Sequence, residues 1–420
     1  MKSTKLPLIF ATLTLLYILS QFFRLSNAVI APQLVRDLDL NAETLGLLGG
    51  AFFYSFTLFQ IPLGPMLDRI SLRWLFSLSM AVAALGAVLF SLGQSFAAAF
   101  FGRVLIGLGM AVILMGSMKV FTLWFPPDRF STLLGVLFSA AQVGNLMAAS
   151  PLAYLDLKIG WRATFLAAGA ITALLGVLAF LVLKGNPRGG PVPARAEMGI
   201  LPSLRCIGGS LVFWQGALLT FARYGTFVAL QGLWLGSYLM EIRGLDPIEA
   251  GHLLICIAAG GTVGAPLSGR LFDRAGSRKA LILGGLGLYS LLLLFFFLLD
   301  LDRFSWGLLL FAVGFCNTFG LGIFPYTKEF FPGSISGTVF SSINFFSTAG
   351  GAFFMPLLGW VIESFPRPPR GYSPDAYHTS FLICFLFMAA SLVFYAFPAA
   401  GRRPAFRPPE RGGAPRSTWE

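Results

Sequence analysis

The chain has 420 residues and a formal net charge of +12, with 56% hydrophobic and only 11% charged side chains. Soluble domains carry roughly 25% charged residues, so the composition excludes an ordinary soluble enzyme and points to a bilayer. The 30 Lys and Arg fall in short segments between apolar runs and not on one soluble face, which argues against a nucleic-acid partner.

Twelve apolar runs are predicted as membrane-spanning helices: 8–30, 44–66, 72–94, 97–124, 131–154, 162–183, 209–239, 249–271, 279–300, 305–330, 336–362 and 377–398. Each is near the roughly 20 residues that a span needs. The first stretch, Leu6 to Ala31, is too long for a signal-peptide core and reads as a span. Residues 184–208 are rich in Gly, Pro and Arg and read as a cytoplasmic linker between bundles 1–183 and 209–398. Residues 399–420 are nearly free of apolar side chains and read as a disordered tail.

Charge predicts the orientation. With the N-terminus in the cytoplasm, 20 of the 30 basic residues face the cytoplasm, seven face the opposite side and three lie inside spans. This bias places both termini and the linker inside the cell. Cys206, Cys256, Cys316 and Cys384 show no C-x-x-C spacing, so neither a metal site nor a disulfide framework is expected, and no cofactor.

A signature recurs after the second and eighth runs. Gly64, Asp68, Arg69 and Arg73 fit G-x-x-x-D-R-x-x-x-R, and so do Gly269, Asp273, Arg274 and Arg278. Tight turns with positive-inside charge would explain one copy; recurrence after equivalent spans asks for more. Here the chain resembles the major facilitator superfamily, whose loops between helices 2 and 3 and between 8 and 9 carry this motif. Arg103, Gly107 and Gly109 look like that family's helix 4 pattern R-x-x-x-G-x-G, and Gly160-Trp161-Arg162 is also similar. The antiporter motif of helix 5 is degraded to Gly144 and Ala149-Ser150-Pro151. The resemblance implies an all-α membrane protein with two six-helix bundles, both termini cytoplasmic, working as a monomer in a bacterial inner membrane. It also implies that Asp68, Arg69 and Arg73, with Asp273, Arg274 and Arg278, form charge clusters that gate alternation.

Ionisable residues within spans are expensive and read as sites. All 18 acidic residues fall in loops, tails or span ends, whereas Arg24, Arg103 and Arg223 lie inside spans. Unpaired buried cations call for an anion, and the simplest missing anion is the substrate. Arg24 and Arg223 occupy helices 1 and 7, equivalent positions in the two halves, so they should face one central cavity. Each guanidinium can bind a phosphate or carboxylate through a bidentate fork. Gln21 and Asn27 flank Arg24; Gln142, Asn145, Gln231 and Asn344 are further polar candidates, although helix–helix hydrogen bonds explain such residues equally well. Trp234 and Asn317 are noted beside them.

The arginine pair resembles the organophosphate:phosphate antiporter branch of the superfamily. The resemblance rests on Arg24, on Arg223-Tyr224-Gly225 and on Tyr17 seven residues before Arg24. Leu25 replaces that branch's Lys and Gln21 its second Tyr, and its basic helix 2 residue and helix 5 His have no counterpart. Arg103 reads as structural or as a site residue. Met110 stands where the anion:cation symporter branch carries a Glu, which counts against that alternative, and two central arginines suit drug export poorly. The expected function is secondary transport of a small phosphorylated or carboxylated organic anion, by exchange. No G-x-S-x-G, HExxH or P-loop suggests an enzyme.

Overall fold

The computed structural model describes residues 5–126, 129–184, 200–274, 276–298, 302–332, 335–366 and 371–398, which form helices with no strand among them. Backbone groups in hydrocarbon must satisfy one another, so each apolar run closes its own ladder. The first half comprises α1 (Lys5–Leu25), α2 (Asn27–Leu38), α3 (Ala42–Arg69), α4 (Leu72–Leu92), α5 (Phe96–Met110), α6 (Val112–Trp124), α7 (Phe130–Met147) and α8 (Ser150–Val182). The second comprises α9 (Ile200–Gly208), α10 (Leu211–Ala229), a π-helical turn Leu230–Trp234, α11 (Leu235–Glu241), α12 (Pro247–Arg274) and α13 (Arg278–Leu298). It continues through α14 (Arg303–Asn317), a 3-10 turn Thr318–Gly322, α15 (Ile323–Lys328), α16 (Ser336–Glu363) and α17 (Pro374–Ala396).

By length and composition, ten helical paths among the described residues can cross a membrane, and eleven if the bent path through α9, α10 and α11 counts as one. The sequence predicts twelve, and the difference lies in the fifth and sixth runs. The apolar part of α7 is short, Gly135–Met147, and the chain resumes at Ser150 in α8. That 33-residue helix is interrupted by Gly160 at φ 80°, ψ 156°, a conformation that glycine reaches and other residues rarely do. The break therefore falls at Gly160, with 150–159 extending the fifth run and 161–182 forming the sixth.

Two details go beyond the sequence reading. Residues 200–208 of the linker are helical, and Ile207 is buried with Phe213, Ala217, Phe331, Ile335, Val339 and Ile343 in a small core of its own. Asp156 is not in a loop: it lies in the extension of the fifth run and is 8% exposed, with Oδ2 unpartnered. The tail 399–420 and residues 185–199 of the linker lie outside the described residues.

The Gly160-Trp161-Arg162 turn has a clear structural task. The Trp161 indole donates to Asp37 Oδ2 at 2.9 Å, and Arg162 Nη1 donates to the Ser91 and Gly93 carbonyls at 2.9 and 2.7 Å. Trp161 and Arg162 thus tie the ends of α2 and α4 to α8.

The halves meet closely at the end that carries Asn41 and Glu363. A methyl placed on Gly359 would lie 2.4 Å from the Ala42 carbonyl oxygen, and one on Gly236 would lie 2.4 Å from that of Ala28. Glu363 Oε2 accepts from the Ala42 amide at 2.9 Å, which puts a carboxylate of the second half on the N-terminus of a first-half helix. Trp234 Nε1 donates to the Met355 carbonyl at 3.0 Å beside this seam, where a methyl on Gly46 or Gly359 would lie 3.2 or 3.0 Å from its ring. A carboxylate at a helix N-terminus typically stabilises by about 0.3–1 kcal/mol. Glu363→Gln should therefore loosen this end and raise the open population severalfold. Spin labels at the exposed positions Asp39 and Asp375, one on each half, would report it as a gain in long distances.

Candidate functional site

Arg24 lies in the last turn of α1, two residues before the break at Ser26. It is half-buried, packed over the Phe56 ring at 4.8 Å and near Phe52 and Phe53 at 5.8 Å each. Its Nη1 donates to the Tyr224 hydroxyl at 2.6 Å, a bond that crosses between the halves. Its buried Nε has no partner.

Arg223, on α10, is 4% exposed. Nη1 donates to both the Asn317 carbonyl at 3.0 Å and Asn317 Oδ1 at 3.1 Å, while the buried Nε is unpartnered. Its guanidinium lies 5.9 Å from the centre of the Tyr224 ring. Tyr224 therefore joins the two arginines: ring beside Arg223, hydroxyl on Arg24. Neither arginine makes an ion pair among the described residues. Two cationic groups held by neutral oxygens keep their full charge, which is the electrostatic state that attracts an anion.

Asn27 is 1% exposed, and both its amide oxygen and nitrogen lack a hydrogen bond. It sits three residues after Arg24 at the start of α2. A buried amide with neither partner is costly, so a ligand group able to reach it would gain by doing so. Tyr17 and Gln21, earlier on α1, are both buried, with Tyr17 edge-on to Phe138 at 6.2 Å.

The other polar candidates are less clearly placed together. Asn145 Nδ2 donates to Gln142 Oε1 at 2.8 Å along α7, so those two amides partly satisfy each other. Gln231 lies in the π-helical turn beside Tyr289, and no hydrogen bond joins it, or Asn344, to either arginine. Arg103 is fully buried and donates to the Phe23 carbonyl at 2.7 Å, bracing α1 just before its break. It shares the Phe52 ring with Arg24, at 5.5 Å, and its Nε and Nη2 are unpartnered.

The charges of the two loop motifs are described only in part. The side chains of Asp68, Arg69 and Asp273 lie outside the described residues. Arg73 packs on Phe180 at 3.5 Å, within its own half. Arg278 pairs with Glu329, also within its own half, and Arg274 is exposed. Phe52, Phe56 and Gly320 contact the two arginines without any sequence pattern that marks them.

Residues 13–327 match the family described as Major Facilitator Superfamily. The chain is 25% identical over 303 residues to a probable galactarate/D-glucarate transporter, GudP, of Bacillus subtilis, covering 63% of this chain and 65% of that one. It is 25% identical over 293 residues to a probable sulfoacetate transporter, SauU, of Cupriavidus necator, covering 65% and 67%. The chain spans 57% to 67% of the length of the first curated relatives it matches. Among solved structures, a bacterial homologue of the human lysosomal transporter Spinster, inward-facing and unoccupied, superposes with a TM-score of 0.75 at 20% identity, covering 94% of this chain and 97% of that one. At that identity the likeness establishes the fold alone.

Tyr224→Phe removes the hydroxyl that Arg24 donates to and leaves a cationic N–H without its acceptor. Leaving such a group unsatisfied costs about 1–3 kcal/mol, so thermal unfolding of the ligand-free protein should shift several degrees downward. An unchanged unfolding temperature would mean that water replaces the phenol freely.

Proposed function

The chain belongs to the Major Facilitator Superfamily, and we propose that this membrane transporter moves a small organic anion held between Arg24 and Arg223. The carrying observation is the chain Arg24–Tyr224–Arg223, which spans both halves without a carboxylate. A divalent organic anion of the phosphorylated or carboxylated class fits two guanidiniums better than a monovalent one. The similarity to probable galactarate/D-glucarate and sulfoacetate transporters supports the organic-anion class. The closer organophosphate likeness rests on Tyr17, Arg24 and the Arg-Tyr-Gly run alone.

In this reading the protein is a multi-pass component of a bacterial inner membrane. Splitting the chain at Gly160 gives twelve crossings in two bundles, 1–183 and 209–398, with both termini cytoplasmic by the charge bias. The seam at Asn41 and Glu363 then lies on the outer side. Asp68 and Arg69, with Asp273 and Arg274, are the inner counterparts of that seam.

Exchange is the favoured mode. Reorienting an empty carrier moves two arginines that have no counter-charge, whereas a bound dianion neutralises them. A second reading, proton coupling, is favoured by one observation: Asp156 is buried with a free carboxylate oxygen, near the Trp161–Asp37 contact. Reconstituted vesicles separate the two. Exchange predicts uptake only into vesicles preloaded with anion; strong uptake into empty vesicles under a pH gradient, lost in Asp156→Asn, would establish coupling instead.

Arg24→Ala and Arg223→Ala should each abolish binding of D-glucarate or glycerol 3-phosphate while the protein remains folded in the membrane. Lys at either position should restore little, because a point charge lacks the planar fork. Thermal stabilisation by added anion, which scales with affinity by mass action, is the measurement. Normal transport by both alanine variants would defeat the central-anion reading.

A further inference from the structure

Helix α14 ends at Asn317 and the backbone tightens into a 3-10 turn over Thr318–Gly322. A mid-span change of helix type often marks a functional position. Arg223 from the neighbouring α10 lies on this turn. Its Nη1 bonds the Asn317 carbonyl at 3.0 Å and the Asn317 side-chain oxygen at 3.1 Å. A methyl on Gly320 would fall 2.1 Å from Arg223 Cδ, 2.4 Å from Nε and 2.8 Å from Cζ. Only a residue without a side chain permits the stem to lie there. The guanidinium is 4% exposed, and its buried Nε has no partner.

We infer that Asn317 and Gly320 form a seat that orients Arg223 for an anionic ligand without neutralising it, making Asn317 a positioning residue that sets the affinity of the site for anions. This rests on the functional reading above. The chemistry of the pair decides the role. Both acceptors at position 317 are neutral oxygens, so the guanidinium keeps its charge while one edge is fixed. A carboxylate in the same place would fix it equally well and cancel the charge. An amide where a salt-bridge partner would stabilise more is the pattern expected when the counter-ion is to come from the ligand. The arginines are then held differently in the two halves. Arg24 is held by a phenol from the opposite half, so its restraint changes when the halves move; Arg223 is seated within its own half and travels with it.

The test uses the purified full-length protein and two probes, sulfate and D-glucarate, with thermal unfolding followed as each is titrated. Asn317→Ala should keep the charge, loosen the orientation and weaken anion affinity about tenfold, with the ligand-free unfolding temperature close to the parent's. Asn317→Asp should abolish anion stabilisation while the ligand-free protein unfolds at the same or a higher temperature, because the new carboxylate pairs with Arg223. That opposition of sign distinguishes a positioning role from a merely structural one, in which both variants lose stability and affinity together. Gly320→Ala should displace Arg223 and weaken binding at least as much as Asn317→Ala. Anion affinity at the parent level in Asn317→Asp would overturn the inference while leaving the functional reading intact. Absence of anion stabilisation in the parent, or its survival in Arg223→Ala, would overturn the functional reading and this one with it.

Discussion

Three arginines set in spans with no carboxylate partner among the described residues constrain the rest of this molecule. A cation in a span is tolerated when something nearby accepts its hydrogen bonds. Here the acceptors are a phenol, an amide and backbone carbonyls: Tyr224 for Arg24, Asn317 for Arg223 and Phe23 for Arg103. Two of these acceptors sit beside a local departure from regular helix. The Phe23 carbonyl lies just before the break between α1 and α2, and the Asn317 carbonyl lies where α14 gives way to a 3-10 turn. In both halves, irregular backbone thus lies next to a carbonyl that accepts from a buried arginine.

The contacts between the halves fall into two kinds. At the Asn41–Glu363 end they are close and steric, with glycines letting backbones approach and one carboxylate capping α3. At the level of the arginines the clear polar link is the Arg24–Tyr224 bond. A ligand that takes over the Nη1 of Arg24 displaces that phenol. Binding and the relative position of the halves are therefore linked through one hydrogen bond, and the linkage is reciprocal.

Much of this was legible in the chain itself. A run of about 20 apolar residues admits one structure in lipid, so the helices follow from hydropathy. Arg24 and Arg223 stood out because spans exclude charge, and their pairing followed from equivalent positions in a duplicated architecture. The limits are equally physical. Gly160 sits in a short polar interval whose helical extension depends on Trp161 reaching Asp37, a contact no local pattern encodes. Asp156 read as a loop residue for the same reason. Gly320 is one of 48 glycines, and only the path of Arg223 across it gives it meaning. Of the charge motifs, Arg73 rests on Phe180 and Arg278 pairs with Glu329, partners that recurrence of a pattern does not name.

The phenol on Arg24 has one more consequence. Ordinary cytoplasm offers small monovalent ions such as chloride at far higher levels than most metabolites. Bare guanidiniums would collect these ions and become clogged, as beads of an ion-exchange resin do. A hydroxyl already in place on Arg24 sets a threshold that a spherical monovalent ion cannot cross by charge alone. Selectivity against the ionic background of the cell would then come from what the empty site has to give up, and not only from what the filled site gains.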